Sequence, residues 1–542
     1  MRKTSIAKSN YWRTTDSIFS YLKKLIDENG ELEDPFIHFP TKENSNLDEI
    51  QLVPGFLDTL VINDDSAEGK ELAVALGEVL ENIAKSNSDD SKEFFYESII
   101  AIEQPVAAFI DLLLEEILLR QAHKSPNLLE FAKDLAFRTT QIKTVKMGIA
   151  ILGVTDDATV IPDLKILGAY DEFTSFVAVT IDDLLENPVE ELWDLAKKVN
   201  GWGRIQTIEQ MVDYDLSYEI KEWLITEGFR NYIMNEYLTL LCAQYGDLNT
   251  FLKTDNITLE MYNSITDLLE GLFASDAPNG NIYDYNEASS VIQNYLRHSF
   301  VHGKTLKSYF IISLIKEYLS DLLDKPTDST LEENGWERDE ASNSIIDAYQ
   351  LMKQDFWTDL IQKDLDSKDE SKFYYAKIVA ESLELDIWEF LWKRLIENPQ
   401  SAGHWDDIRY HIEEQHIDDV IMLAEENLTW DYENLSKTKV YIDLICQEIV
   451  VMILENFPGK GESLIIKALE SENIRLNGAA LITLEHWKLE NCSDKIKEKL
   501  EEISRTKSDK TIQKNINNLL NGKSMDWNYY ALDDDDIDTI SF

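Results

Sequence analysis

Apolar residues recur with the spacing of an α-helix along most of this chain, and the stretch from Val199 to Gly246 shows the pattern most clearly. It contains three apolar stripes, separated by an acidic turn and by Gly228. Positions three and four apart share one face of a helix, so the stripes predict three short amphipathic helices. Because no such helix can cover its own apolar face, each must pack against a similar neighbour, as in an α-solenoid. The residues predicted to face inward are Ile205, Ile208, Val212, Ile220, Trp223, Leu224, Ile233, Tyr237, Leu240 and Leu241.

Length and composition support the same fold class. A chain of 542 residues is too long for one compact core, so it must form several domains or a repeating array. It contains only 20 glycines and 11 prolines, the residues that most disfavour helix. We therefore predict an all-α protein.

The regularity of the apolar pattern divides the chain into five parts. Pro326 and a polar stretch interrupt the helical pattern near the middle, and four consecutive aspartates lie close to the end. The predicted parts are an irregular, partly helical N-terminal segment at 1–91, a first helical array at 92–324, a linker at 325–340, a second array at 341–522 and an acidic tail at 523–542. Within the first part we expect helices at 15–26 and 67–84 and an extended segment at 57–62.

The clearest repeat unit runs from Glu462 to Trp487 and consists of two predicted helices. Arg475 and the pair Ala479-Ala480 stand where a HEAT repeat usually has such residues, so this unit resembles a HEAT repeat. The resemblance implies a HEAT-like α-solenoid with irregular repeats. The residues predicted to form its core are Leu464, Ile465, Ala468, Leu469, Leu476, Ala480, Thr483, Leu484 and Trp487.

The charge balance restricts the partners. With 102 acidic and 51 basic residues, the net charge is -51, which repels phosphate backbones and anionic lipid headgroups. Nucleic acid and membrane surfaces are therefore not expected partners, whereas a basic or amphipathic protein is. Alternatively, the charge only keeps a long array in solution. The three cysteines are far apart and no apolar run resembles a signal peptide or membrane span, so we expect a cytoplasmic protein.

Cofactor motifs are incomplete in this sequence. Gly201-Trp202-Gly203 and Gly459-Lys460-Gly461 both lack the third glycine of a dinucleotide-binding loop and are not set in a βαβ pattern, so we interpret them as helix punctuation. No phosphate-binding loop is present. The cofactor is therefore unknown from motifs alone.

One constellation has the residue types of a metal site. Glu413 and His416 are three residues apart, the spacing with which one helix supplies two ligands, and His411 could be a third. A solvated polar helix face is the alternative. His298 and His302 are also helical neighbours, but they lack the glutamate of a zinc protease helix and are interpreted as a surface or helix-end pair.

Aromatic residues are concentrated in one part of the second half. Helical spacing makes most of them core residues, although an aromatic-lined groove could also take an apolar ligand or a partner helix. They are Trp357, Phe373, Tyr374, Tyr375, Trp388, Phe390, Trp392 and Trp405.

The segments Val199 to Ile205 and Glu219 to Leu238 resemble Bacillus-type proteins that carry the name limonene hydroxylase. The resemblance covers roughly residues 145–320. It implies a monooxygenase, an oxidoreductase that converts the monoterpene limonene to carveol or perillyl alcohol, with dehydrogenation of those alcohols, dioxygen and a reduced nicotinamide cofactor. No catalytic residues can be assigned from it. Activation of dioxygen normally requires haem, flavin or non-haem iron, and no motif for these groups is present in the sequence.

Three functional hypotheses follow. The resemblance implies a monoterpene-oxidising enzyme. The periodicity and charge favour a HEAT-like interaction scaffold for a basic or amphipathic partner. A third hypothesis is a protein that binds an apolar small molecule without converting it.

Overall fold

The protein is all-helical in the parts of the chain that a computed structural model describes, which are residues 12–32, 34, 37, 53–56, 66–325, 329–430 and 437–525. The β-structure found among them is an isolated antiparallel bridge between Ile26 and Leu32. The predicted all-α class is confirmed. Across the same ranges, the search for a helix long and apolar enough to cross a membrane finds none.

The chain divides into two compact units, Met1–Gln354 and Asp355–Phe542. The α-helices described in the first unit are α1 (Ile18–Leu25), α2 (Ala67–Ser86), α3 (Asp89–Ala101), α4 (Ile110–Leu119), α5 (Pro126–Arg138), α6 (Ile142–Gly153), α7 (Ile161–Gly168), α8 (Asp171–Leu184), α9 (Val189–Lys198), α10 (Trp202–Met211), α11 (Tyr218–Trp223), α12 (Glu236–Tyr245), α13 (Leu248–Lys253), α14 (Leu259–Leu272), α15 (Ala288–His302), α16 (Leu306–Leu323), α17 (Ser329–Glu333) and α18 (Arg338–Met352). A π-helical turn, Leu224–Gly228, continues α11.

The α-helices described in the second unit are α19 (Phe356–Leu365), α20 (Glu370–Ser382), α21 (Trp388–Glu397), α22 (Ala402–His411), α23 (Ile417–Asn427), α24 (Lys437–Leu454), α25 (Glu462–Glu470), α26 (Ile474–Trp487), α27 (Asp494–Thr506) and α28 (Lys510–Leu520). Short polar side chains set where several helices of both units begin. Ser88, Thr258 and Asn473 each precede a helix and accept a hydrogen bond from the amide three positions later. Each bond satisfies one of the free amides at a helix start.

Even-numbered helices form a row in each unit, from α2 to α18 in the first and from α22 to α28 in the second. In the first unit α2 contacts α4, α4 contacts α6, and the same relation continues through α8, α10, α12, α14 and α16 to α18. In the second unit α22 contacts α24, α24 contacts α26, and α26 contacts α28. Odd-numbered helices pack beside the row, as α7 does on α8 and α9 on α10. Each apolar face is therefore covered largely by helices nearby in sequence.

The predicted helices near residue 20 and after residue 66 are present as α1 and α2. The predicted pair from Glu462 to Trp487 is present as α25 and α26, and all nine of its predicted core residues are buried. In the stretch from Val199 to Gly246, however, the third helix starts only at Glu236. Residues 229–235 form a loop instead, and this loop brings Tyr232 to the buried carboxyl group described below.

The N-terminal segment described here is fixed to the first unit. Trp12 is buried against Tyr96 and Phe131, with ring centroids 5.7 Å apart in both pairs. Arg13 Nη1 lies 2.6 Å from Asp134 Oδ2, and Ser17 Oγ donates to the Phe137 carbonyl at 2.6 Å. The segment that precedes α2 thus packs on α5.

The boundary between the two units lies beyond the predicted linker at 325–340. α18 packs on α16 and buries Ala341, Ala348 and Leu351, so it belongs to the first unit. The predicted extended segment at 57–62 and the four aspartates at 533–536 lie outside the described residues.

Candidate functional site

The three residues of the predicted metal site do not share a helix. α22 ends at His411, Glu413 precedes a short 3-10 turn, and α23 begins only at Ile417. The expectation that one helix presents Glu413 and His416 on a common face is therefore wrong, because the helix is interrupted between residues 411 and 417.

Their side chains contact different partners. His411 Nε2 lies 2.8 Å from Glu381 Oε1, whereas the His416 ring stacks on Trp388 with centroids 4.1 Å apart. Glu413 accepts a hydrogen bond from the Gln415 side chain at 3.0 Å. Over the described ranges, no group of three or more histidine, cysteine, aspartate or glutamate side chains is placed to hold a metal ion. A metal at Glu413, His416 and His411 stays a prediction.

The other histidine pair lies near the C-terminal end of α15. His298 is buried, and its Nε2 lies 3.0 Å from the Leu252 carbonyl near the C-terminus of α13. Burial lowers the pKa of His298. His302 is the last residue of α15 and packs on Tyr262, with centroids 5.6 Å apart.

The aromatic residues and the cysteines mainly fill the interior. Of the eight predicted aromatic residues, Trp357, Phe373, Tyr375, Trp388 and Trp405 are buried. All three cysteines are buried free thiols. Burial raises the pKa of each thiol, that of Cys446 to about 12, which disfavours the nucleophilic thiolate.

A buried carboxyl group lies where two helices of the row begin. Asp171 is the first residue of α8 and only 5% exposed. Its Oδ2 accepts a hydrogen bond from Tyr232 Oη at 2.9 Å, and the backbone amide of Gly203 donates to the same carboxyl group. Gly203 belongs to the first turn of α10, where amides have no partner within the helix. The carboxyl group thus joins α8, α10 and the loop at 229–235.

Two glycines make this close approach geometrically feasible. A Cβ atom on Gly201 would lie 2.3 Å from Tyr232 Oη and 2.5 Å from Asp171 Oδ2. One on Gly203 would lie 2.6 Å from Thr174 Oγ1 and 2.7 Å from Asp171 Oδ1. Gly201 also has a φ of +69°, which glycine adopts at little cost.

The loop at 229–235 is fixed to α10 by further hydrogen bonds. Asn231 Nδ2 donates to the Gly201 carbonyl at 2.9 Å, and the Tyr232 amide donates to Asn200 Oδ1 at 2.9 Å. Arg204 donates to the carbonyls of Val199 and Arg230, both at 2.8 Å. Its guanidinium therefore links Val199, the residue that follows α9, to this loop. A cation is favourable at this position because it lies near the C-terminus of a helix.

An ion pair lies beside the carboxyl group. Lys146 Nζ is 2.5 Å from Glu172 Oε1, and the lysine is 5% exposed. The other glutamate oxygen accepts from the Gly55 amide at 2.9 Å. Since Gly55 belongs to the N-terminal segment, this pair holds residues 53–56 against α8. We refer to Lys146, Asp171, Glu172, Gly203 and Tyr232 together as the Asp171 cluster.

Burial raises the pKa of Asp171 to about 7, while the Tyr232 hydroxyl, the Gly203 amide and the Arg204 charge oppose that increase. The folded protein then holds a proton that the unfolded chain has lost between about pH 4 and pH 7. Stability contributed by this group is complete below pH 4 and is lost as pH rises towards 7. The free energy of unfolding should therefore fall with pH in the wild type, and Asp171→Asn should make this slope shallower by up to roughly 1.4 kcal/mol per pH unit. Urea unfolding from pH 4 to 8 measures both slopes.

Asp163→Asn is the matched control, because Asp163 is an exposed carboxylate in the first turn of the neighbouring α7. It should leave the pH dependence of the wild type unchanged. Identical slopes for wild type and Asp171→Asn would show that Asp171 is ionised throughout the range.

The sequence pattern does not predict the Asp171 cluster. Gly201 and Gly203 lie where α10 begins, but helical periodicity carries no information about the groups that approach them. The usable signal was the pair of glycines within three residues at a helix start, which indicates close contact with another group.

The surface carries clusters in which acidic groups outnumber basic ones. Lys499 Nζ lies 2.7 Å from Glu470 and 2.8 Å from Glu502. Arg120 and Lys85 together face three carboxylates, those of Glu78, Glu81 and Glu116. Each of these clusters keeps a negative charge after its ion pairs are formed.

The C-terminal end of α8 is acidic as well. Asp182 and Asp183 lie in its last turn, where the helix dipole disfavours negative charge. Burial raises the pKa of Asp183, and the neighbouring carboxylates of Asp182 and Asp111 raise it further. A cation brought to this end of α8 would relieve the repulsion.

The chain matches no protein-family model, and the comparisons with curated proteins and with solved structures give no match either. The resemblances to HEAT repeats and to limonene hydroxylase therefore rest on the residues quoted above.

Proposed function

We propose that this protein is a HEAT-like helical scaffold that binds a basic, amphipathic segment of another protein. The row of even-numbered helices supports the solenoid interpretation, because successive helices of a repeat array cover one another in this way. Arrays of this kind present long surfaces that suit extended partners.

The observation that carries the proposal is the excess negative charge left within local clusters. Around Lys499 and around Arg120 the basic side chains are already engaged by acidic neighbours, and a carboxylate charge remains. The net charge of -51 shows that acidic residues also outnumber basic ones over the chain as a whole. Complementary charge accelerates association and selects basic partners over acidic ones.

The test uses two fluorescently labelled synthetic peptides. One has leucines at helical spacing and lysines elsewhere, and the other has glutamates in place of the lysines. We expect the full chain to bind the lysine peptide alone and to bind it less tightly when salt rises from about 50 to about 300 mM, because salt screens exposed charges. Fluorescence anisotropy measures both affinities.

Two results would contradict the scaffold proposal. One is equal binding of both peptides, or of neither. The other is formation of carveol or perillyl alcohol when the same preparation receives limonene, dioxygen and a reduced nicotinamide cofactor, which would support the monoterpene oxidation that the resemblance implies.

A further inference from the structure

A surface groove runs between α2 and α3 near the start of the row in the first unit. Its volume is about 370 Å³. Asn82 Nδ2 of α2 donates to Ser91 Oγ of α3 at 2.9 Å, so a hydrogen bond joins the two walls of the groove. The groove is lined by Ala75, Glu78, Val79, Asn82, Asp90, Ser91 and Phe94.

The lining combines an apolar floor with an acidic rim. Ala75 and Val79 lie one turn apart on α2, and Phe94 faces them from α3 although 59% of it is exposed. Exposure of a large aromatic side chain is unfavourable, and its burial by a partner would contribute to binding. Glu78 and Asp90 supply the rim, and no basic residue is among the lining residues.

The charge of the rim is only partly compensated. Glu78 Oε1 lies 3.9 Å from Arg120 Nη2, but Arg120 also pairs with Glu81 and Glu116 at 3.0 Å. The guanidinium therefore cannot neutralise Glu78 by itself. A lysine or arginine of a partner would meet an attractive potential at this rim.

We propose that this groove binds an amphipathic basic helix of a partner protein, an inference that rests on the scaffold function proposed above. Both walls are helices, and a third helix packs into such a groove with apolar residues three or four positions apart. One apolar residue of the partner covers Phe94, and flanking basic residues pair with Glu78 and Asp90.

Two other occupants must be distinguished from a partner protein. A second copy of this chain would bring a strongly acidic surface against the same acidic rim, and like charges at an interface repel. Residues 1–10 contain Arg2, Lys3 and Lys8 and no acidic residue, so they are a competitor within the chain. A variant that lacks residues 2–10 distinguishes this competitor from a partner.

The experiment uses the lysine-leucine peptide with a photoreactive benzoylphenylalanine at one apolar position. After irradiation of its complex with the full chain, mass spectrometry locates the crosslinks. We expect them in α2 and α3 near Phe94. Phe94→Ser should weaken binding by about tenfold or more, since burial of an aromatic side chain contributes at least this much.

Matched variants distinguish binding in the groove from attraction of the peptide to the overall negative charge of the protein. Tyr218→Ser removes an aromatic side chain of similar exposure, 61%, outside the groove and should leave affinity unchanged. Glu78→Gln with Asp90→Asn should weaken binding more than Glu219→Gln with Glu260→Gln, which changes the net charge equally at exposed positions elsewhere.

The outcomes also separate this inference from the scaffold function. If the peptide binds but Phe94→Ser has no effect and crosslinks lie elsewhere, the groove assignment is wrong and the scaffold proposal stands. If no basic peptide binds, both fail. Tighter peptide binding after removal of residues 2–10, or self-association lost in Phe94→Ser, would assign the groove to another occupant and overturn the partner proposal.

Discussion

Gly201→Ala is expected to destabilise the first unit by roughly 4 kcal/mol, the sum of backbone strain and overpacking. The φ of +69° with a ψ of -143° lies in a region that only glycine adopts readily. The added methyl group would also lie within 2.5 Å of both Tyr232 Oη and Asp171 Oδ2, so the hydrogen bond between them cannot persist. Hydrogen exchange should show loss of protection in α8, in α10 and in residues 229–235.

Gly335→Ala is a suitable control for the backbone contribution. Gly335 has a similar φ of +72°, but the nearest atom to an added Cβ is Ser289 Oγ at 3.5 Å, an ordinary contact. We expect it to cost only about 1 to 2 kcal/mol. Equal losses for the two variants would show that the Asp171 cluster accommodates the methyl group.

Trp487→Ala is expected to destabilise the second unit by about 3 to 5 kcal/mol, the range for large aromatic residues in a core. Trp487 is fully buried at the end of α26, and its Nε1 donates to the Leu454 carbonyl at 2.8 Å. The substitution leaves a cavity and removes one of two hydrogen bonds to that carbonyl, to which the Phe457 amide also donates at 2.9 Å. Urea unfolding monitored by hydrogen exchange should show earlier loss of protection in α24, α26 and α28 than in the first unit.

His486→Ala is the control that shows whether the loss of stability is specific to Trp487 or follows from any substitution at this end of α26. His486 is the adjacent residue on α26, and its side chain is 57% exposed. It should change stability by less than about 1 kcal/mol, as exposed substitutions usually do. If Trp487→Ala lowers protection equally in both units, the chain unfolds as one cooperative body and a repeat-like organisation is excluded.

Helical periodicity predicted the buried faces well because it depends only on residues within two turns. Phe173, Val177 and Ile181 of α8 show this, since they recur at helical spacing and all three are fully buried. The helix pair α25 and α26 was predicted equally well. The two units divide after α18, because α18 packs on α16, and this tertiary contact is not indicated by the polar stretch before it.

The Asp171 cluster could not be derived from periodicity. Tyr232 reaches Asp171 only because residues 229–235 leave the helix, and the apolar stripe through Ile233 favours a helix there. Hydrogen bonds to Asn200, Gly201 and Arg204 stabilise the loop, and each partner is about 30 residues away in sequence. Such contacts override local preference, and a single sequence carries little direct signal for them.

The order of contacts along the even-numbered row also affects how the chain folds during synthesis. Each helix of the row packs on the one two positions earlier, so most apolar faces can be covered soon after they leave the ribosome. The N-terminal anchor is an exception, because Arg13 pairs with Asp134, 121 residues later. Trp12 must therefore remain without its Phe131 contact until α5 has been translated. Until then, the nascent chain exposes Trp12, which the folded protein buries.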